Sequence, residues 1–220
     1  MKTKTQQPTI AEELDATRDH YRNEVIPAPA LQVMDRETQA LIDSGILDKS
    51  LKSGQVAPDF KLPNQRGSEV SLYDLLRAGS VVLTFYRGGW CPYCNVALRG
   101  LQRYQDRFAH KNTQLVAISP QLPDNTLSTA ERNELSFNVL SDVGNKVANK
   151  YGIVFQLSEE LAREYEKLGF GLDAFNGEEG DRSLPAPATF VIGEDRKIRM
   201  AFVEADYTKR LDPEEALAAL

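Results

Sequence analysis

Cysteine and histidine are scarce in this 220-residue chain, with two of each. A structural zinc centre takes about four such ligands, and here both cysteines share one tetrapeptide while His20 and His110 lie away from it along the chain. Metal binding is therefore a poor reading, and nothing in the sequence calls for a cofactor. Long apolar runs are missing as well. None approaches the ~20 residues that cross a bilayer, and the start, Met1-Lys2-Thr3-Lys4-Thr5-Gln6-Gln7, lacks the apolar stretch of a secretion signal. The expected setting is a reducing cytoplasm, with no membrane. Excess positive charge is absent too: 26 basic against 32 acidic side chains give a net charge of -6, and no basic patch carries interleaved aromatics. The phosphate-neutralising footprint of nucleic-acid binders is thus missing. What remains is ordinary for a globular protein: 41% hydrophobic and 26% charged, long enough for one full core with an extension.

Both cysteines stand in Cys91-Pro92-Tyr93-Cys94, directly after Val81-Val82-Leu83-Thr84-Phe85-Tyr86, a run whose β-branched and aromatic content reads as a buried strand. Arg87-Gly88-Gly89-Trp90 breaks that strand, and a helical pattern opens at Pro92. Cys91 thus falls at a helix N-terminus, where unpaired N–H groups and a partial positive charge favour thiolate over thiol. Pro92 suits the first helical position, where a missing donor costs nothing. Residues three apart on a helix lie roughly 5 to 6 Å from each other, so Cys94 can close a disulfide onto Cys91. The expected roles are Cys91 as the low-pKa attacking sulfur and Cys94 as the resolving one. A permanent staple is a weak account, because so short a loop constrains the unfolded chain little and the expected compartment is reducing. Arg87 is the nearest cation and a candidate to steady a thiolate or a peroxide oxygen; its other reading is a solvated strand end. Arg99, about two helical turns further on, is less well placed.

The stretch from Phe85 to Cys94, with Val56-Ala57-Pro58-Asp59-Phe60-Lys61-Leu62-Pro63 before it and Pro187-Ala188-Thr189-Phe190-Val191-Ile192 after it, resembles the peroxiredoxin-like (AhpC/TSA) branch of the thioredoxin superfamily. Leu115-Val116-Ala117-Ile118-Ser119-Pro120 and Phe137-Asn138-Val139-Leu140-Ser141-Asp142 are similar to further landmarks of that branch, so the resemblance spans roughly residues 50 to 205. The family pattern sets a Pro seven residues and a Thr three residues before its attacking cysteine; counted from Cys91, those positions hold Thr84 and Gly88. Trp90 before Cys91 is instead similar to thioredoxins, and the Cys-Pro-Tyr-Cys string to glutaredoxins.

The resemblance implies an α/β, thioredoxin-like (peroxiredoxin-type) fold, a central mixed sheet flanked by helices. It implies a thiol peroxidase that reduces hydrogen peroxide or organic hydroperoxides through a Cys91 sulfenic acid resolved by Cys94. Recycling would fall to thioredoxin, glutaredoxin or glutathione, since the chain holds no second dithiol. Substrate-side roles follow for Trp90, Pro187 and Thr189, with Ala186-Pro187 similar to the cis-proline element that faces the dithiol in thioredoxins. The alternative is a general thiol–disulfide oxidoreductase acting on protein or glutathione disulfides; a third reading is a redox sensor.

Residues 1–48 read as an N-terminal helical extension and 49–220 as the thioredoxin-like domain. Within the extension, a Thr-x-x-Glu capping box opens a helix at Thr9, and a second helix is expected from about Pro29 to Ser44, stopped by Gly45. The pair is a candidate homodimer surface or a cover for its own domain. A single long helix is expected over Pro92 to His110, a charged one over Glu159 to Leu168, and a Gly- and Asp-rich loop over Gly169 to Asp181.

Overall fold

The computed structural model describes residues 8–177 and 182–220; the polar start 1–7 and the end of the expected loop, 178–181, lie outside the described residues. Helix α1 (Ile10–His20) is closed by its capping box: the Thr9 hydroxyl accepts the Glu12 N–H (3.2 Å) and the Glu12 carboxylate accepts the Thr9 N–H (2.7 Å). It runs on into one π-helical turn, Tyr21–Val25, and α2 spans Ala28–Asp43. A one-turn α3 (Ile46–Lys49) leads to the hairpin of β1 (Lys61–Pro63) and β2 (Glu69–Ser71), then to α4 (Leu72–Leu76) and β3 (Ser80–Phe85). The expected redox helix is split at Tyr104 into α5 (Pro92–Arg103) and α6 (Gln105–His110). Then follow β4 (Thr113–Ser119), α7 (Pro123–Arg132), β5 (Asn138–Ser141), α8 (Lys146–Lys150), β6 (Val154–Gln156), α9 (Glu159–Lys167), α10 (Asp173–Asn176), β7 (Ser183–Pro185), β8 (Ala188–Ile192), β9 (Ile198–Val203) and α11 (Pro213–Ala218).

The central sheet has the order β5-β4-β3-β8-β9, with β3, β4 and β5 parallel and β8 and β9 antiparallel to their neighbours. This is the mixed sheet flanked by helices that the sequence leads one to expect. Strand β3 sits in its middle and is buried at five of six positions, which is why it reads as a continuous apolar run rather than an alternating one. The short β6–β7 pair escapes the sequence reading, because three-residue strands carry too little pattern.

Ala186-Pro187 is not a cis element, and among the described residues no peptide bond is cis. The backbone there is committed to its neighbours: the Ala186 N–H donates to Ile153 (2.8 Å), and the Pro187 carbonyl accepts from Glu204 (3.0 Å). These bonds carry the chain extended from β7 into β8.

On one face of the sheet Phe85, Tyr151 and Phe190 cluster in tilted and edge-to-face pairs, with ring centroids 5.0 to 6.1 Å apart. Phe190 has no exposed surface, so Phe190→Ala is expected to cost about 3–5 kcal/mol. Urea melts of the reduced protein should show the midpoint falling at unchanged slope, and a loss under 1 kcal/mol would contradict this picture of the core.

The other face holds Tyr86, Cys91, Tyr93, Cys94, Leu98 and Leu101, over which α1 lays Ile10 and Leu14. Gly100 makes that contact close: a Cβ there would come within 2.3 Å of Ile10 Cδ1. Glu13 pairs with Arg103 at 2.7 Å beside it. Helix α2 sets Val33 and Met34 against Leu157, Leu161, Tyr165 and Leu184. The N-terminal helices therefore fold onto their own domain.

Candidate active site

Strand β3 delivers the chain to the carboxyl edge of the parallel strands, where crevices form in open α/β sheets. Tyr86 still pairs with the sheet, its N–H donating to Ile118 (2.9 Å). The chain then turns through Gly88 and Gly89 into α5, with Cys91 as the N-cap and Pro92 at the first helical position. Gly88 has φ +155°, and a Cβ on it would lie 2.3 Å from Trp90 Nε1, so only glycine lets the indole fold back over the loop.

The loop is held from both sides. The Gly89 N–H donates to Gln121 Oε1 (2.9 Å), and the Gly89 carbonyl accepts from Asn95 Nδ2 (2.9 Å). Asn95 in turn accepts from Asn133, and Arg99 donates to Asn133 Oδ1 (2.9 Å). Arg99 thus braces the scaffold and does not serve the sulfurs.

Arg87 is no solvated strand end: it is 3% exposed. Its guanidinium lies 4.9 Å from the Trp90 ring, 5.5 Å from Tyr165 and 4.7 Å from Tyr207, a three-ring cage for a cation. Nη2 donates to the Tyr165 hydroxyl, while Nε has no hydrogen-bond partner. Burial works against its charge, but Tyr165 and the two sulfurs more than offset this, and Arg87 stays protonated.

Both cysteines are free thiols, Cys91 1% and Cys94 0% exposed. Their surroundings differ. Burial pushes the Cys91 thiol well above its ordinary range, and its hydrogen bond to Cys94 and the charge there add to this. Burial also opposes ionisation of Cys94. It is outweighed by the hydrogen bond from Cys91, the charges of Arg210 and Arg87, and a backbone hydrogen bond from Arg87, so Cys94 is held well below the usual thiol range. The helix N-terminus still favours negative charge on Cys91, but the cations and donors converge one turn further in.

Cys91 faces a cavity of about 30 Å³, which it lines together with Arg87, Trp90, Tyr165 and Tyr207. A larger cavity, about 260 Å³, adjoins it and shares Met34, Arg87, Tyr165 and Tyr207 with it; its outer walls include Leu41, Phe155, Leu161 and Pro187. Pro187 therefore borders the approach to the site. Thr189 does not: its hydroxyl meets that of Thr84 at 3.1 Å across β3 and β8, where it serves the sheet.

Three residues that meet the dithiol loop escaped the sequence reading. Tyr165 comes from the charged helix α9, which walls the site; Tyr207 and Arg210 come from the segment after β9. Arg210 Nη2 donates to Cys94 Sγ at 3.0 Å. No local pattern marks these residues, since each meets the dithiol loop only through the fold.

The AhpC/TSA family matches residues 53–201. Peroxiredoxin Bcp of Escherichia coli (strain K12) is 33% identical over 127 residues, 56% of this chain and 80% of that protein. The crystal structure of peroxidoxin BcpB from Mycobacterium tuberculosis superposes with a TM-score of 0.60 at 26% identity, covering 77% of this chain and 96% of that one. A variant of peroxiredoxin 6 from Arenicola marina shares the fold at 18% identity, with a TM-score of 0.61 over 76% and 70% of the two chains. The matched family span takes in β3, the dithiol loop, α5 and β8 and stops short of Tyr207 and Arg210. With a mixed sheet, a cysteine at the head of α5 and a match over more than half its length, the chain belongs to the AhpC/TSA family, the peroxiredoxin-like branch of the thioredoxin superfamily.

Proposed function

We propose that the protein is a thiol-dependent peroxidase whose working centre is the Cys91–Cys94 pair, cycling between dithiol and disulfide. The observation that carries the reading is the size of the cavity at the sulfurs. One water occupies roughly 10–15 Å³ of such space, so about 30 Å³ takes the two bonded oxygens of a peroxide.

Arg87 Nε, buried and without a partner, is a ready donor for a peroxide oxygen. An organic hydroperoxide would lay its carbon part in the adjoining 260 Å³ cavity, against Met34, Leu41 and Leu161. The disulfide then formed requires an outside dithiol of the thioredoxin or glutaredoxin kind, because the chain has only these two cysteines. In this reading 49–220 is the catalytic domain and 1–48 an extension that closes its flank.

Trp90 is the only tryptophan and stacks on Phe170 at 5.8 Å beside the site. Stopped-flow mixing of the reduced protein with hydrogen peroxide or an alkyl hydroperoxide should change its fluorescence far faster than peroxide oxidises free cysteine. A rate equal to that of free cysteine, together with brisk reduction of insulin, would sink the peroxidase reading. Leu161→Trp, which fills the larger cavity, should raise KM several-fold for a bulky organic hydroperoxide and leave KM for hydrogen peroxide unchanged; equal effects on both would show that the cavity takes no part.

A further inference from the structure

We propose that Glu37 of α2 is a specificity-determining residue: its carboxylate favours organic hydroperoxides that carry an ammonium group at the end remote from the O–O bond, and turns away those that end in a carboxylate. This assignment rests on the peroxidase reading above and deepens it by naming the substrate class.

The larger cavity runs along α2. Met34, Glu37, Thr38, Leu41 and Ser44 all line it, and their spacing of three to four residues sets them in one stripe on the helix. Met34 also lines the small cavity beside Cys91, and Ser44 caps the far end of α2. At the helical rise the stripe between them is about 15 Å long. A molecule whose peroxide oxygens occupy the small cavity therefore has the rest of its length laid along α2.

On that wall a carboxylate interrupts an apolar surface. Leu41, Phe155, Leu161 and Pro187 supply apolar sides, and two of the lining side chains are charged: Arg87, where the two cavities meet, and Glu37. No ion pair joins them. Among the described residues Glu37 has neither a hydrogen bond nor an ion pair, because the groups around it are spoken for. Arg36 pairs with Glu160 of α9 at 2.6 Å, the Thr38 hydroxyl donates to the Met34 carbonyl (2.8 Å), and the Ser44 hydroxyl donates to the Leu41 carbonyl (2.7 Å). Glu37 is half-buried, so a charge brought beside it is felt more strongly than in open water.

The cavity thus carries a cation at its peroxide end and an anion on its tail side, and a few polar groups in a mostly apolar pocket fix how a ligand lies. An ammonium-ended hydroperoxide fits one way round, since the reverse would set its ammonium against the Arg87 guanidinium. Its three N–H donors meet a carboxylate that has no other partner. A carboxylate-ended one brings two like charges together. The net reaction is the same for each: the dithiol supplies two electrons and two protons, the O–O bond breaks, and the hydroperoxide leaves as an alcohol and a water while the S–S bond forms. Helix α2 precedes residue 53, where the family match begins, so this selection belongs to the chain's own N-terminal part.

The test is stopped-flow oxidation of the reduced full chain, followed by Trp90 fluorescence. The probes are three alkyl hydroperoxides of one carbon skeleton, ending in an ammonium, a methyl or a carboxylate, with hydrogen peroxide as a probe too small to reach Glu37. Relative to the methyl form, the ammonium form should react about threefold faster and the carboxylate form about threefold slower at low salt, as a partly exposed charge pair allows. Added salt should narrow that spread. Glu37→Gln should cut it from about tenfold to under about threefold, and Glu37→Lys should reverse the order. Both variants should react with hydrogen peroxide at the unaltered rate, which a disturbed site would not do. No charge preference in the unaltered protein, or a spread still above about threefold in Glu37→Gln, overturns the assignment and, with hydrogen peroxide still reduced, leaves the peroxidase reading standing. Inertness of every form to every peroxide removes both.

Discussion

Replacing Arg87 by methionine is expected to slow peroxide reduction about 10²-fold while changing stability by no more than about 2 kcal/mol. The first figure follows from losing one pre-positioned donor to a developing oxyanion, which costs about 10²–10³ in rate where it has been measured in other enzymes. The second follows from opposing effects on the fold. A guanidinium that is 3% exposed and has no carboxylate partner among the described residues bears a desolvation cost of several kcal/mol, which methionine relieves. Against that stand the contacts to Trp90, Tyr165 and Tyr207, about 2 kcal/mol for a desolvated cation on rings. Loss of the bond to the Tyr165 hydroxyl adds about 1–3 kcal/mol. The two sides nearly cancel for stability, and nothing cancels for chemistry. Thermal melts and peroxide kinetics on the same samples separate the outcomes. Activity within threefold of the unaltered enzyme would make Arg87 a packing residue. Arg87→Lys should restore little, because a point charge lacks the Nε donor of the planar fork.

How the sequence led partway to this site is visible in particular residues. β3, the Gly-Gly turn and the start of α5 are all local signals: a six-residue apolar run, two glycines and a proline at the first helical position. The Thr9 capping box is equally local, and it forms as spelled. Arg87 could be singled out because it is four residues from Cys91, but its burial could not, since two of the three rings that cage it, Tyr165 and Tyr207, lie 78 and more residues further along. The string Glu204-Ala205-Asp206-Tyr207-Thr208 has no pattern of its own; only the fold lays Tyr207 on Arg87 and brings Arg210 to a sulfur 116 residues away. Thr189 misled because Pro187, two residues earlier, does border the approach, whereas Thr189 lies inside β8 with its hydroxyl engaged by Thr84 of β3.

The unequal surroundings of the two sulfurs have a simple origin. The helix dipole at Cys91 contributes at most about 1–2 kcal/mol, while two guanidinium groups and a backbone donor converge on Cys94. Counted from Cys94, the family's Pro and Thr positions hold Arg87 and Cys91, so the spacing is matched from neither cysteine, although both of these residues line the small cavity.

Gly89→Ala should cost as much activity as loss of Arg87, by a purely steric route. A Cβ on Gly89 would lie 2.2 Å from Thr129 Oγ1 on α7, and Thr129 has nowhere to move. It is 2% exposed, and its hydroxyl is engaged with the Asn125 carbonyl (2.8 Å) and Gln121 Oε1 (3.2 Å). The loop must therefore retreat from α7, which breaks the Gly89 N–H bond to Gln121 and carries Trp90 and Cys91 with it. Overpacking of this kind costs about 1–3 kcal/mol in stability, and a shift of about 1 Å at reacting atoms costs on the order of 10² in rate. Thr129→Ala removes the obstructing atom without touching the sulfurs, so the double variant should regain at least tenfold of the lost activity, a coupling that two independent lesions would not show. Failure of Thr129→Ala to rescue, with both single variants folded, would mean that Gly89 is required for its backbone alone and that the packing of this loop on α7 does not set the position of the dithiol.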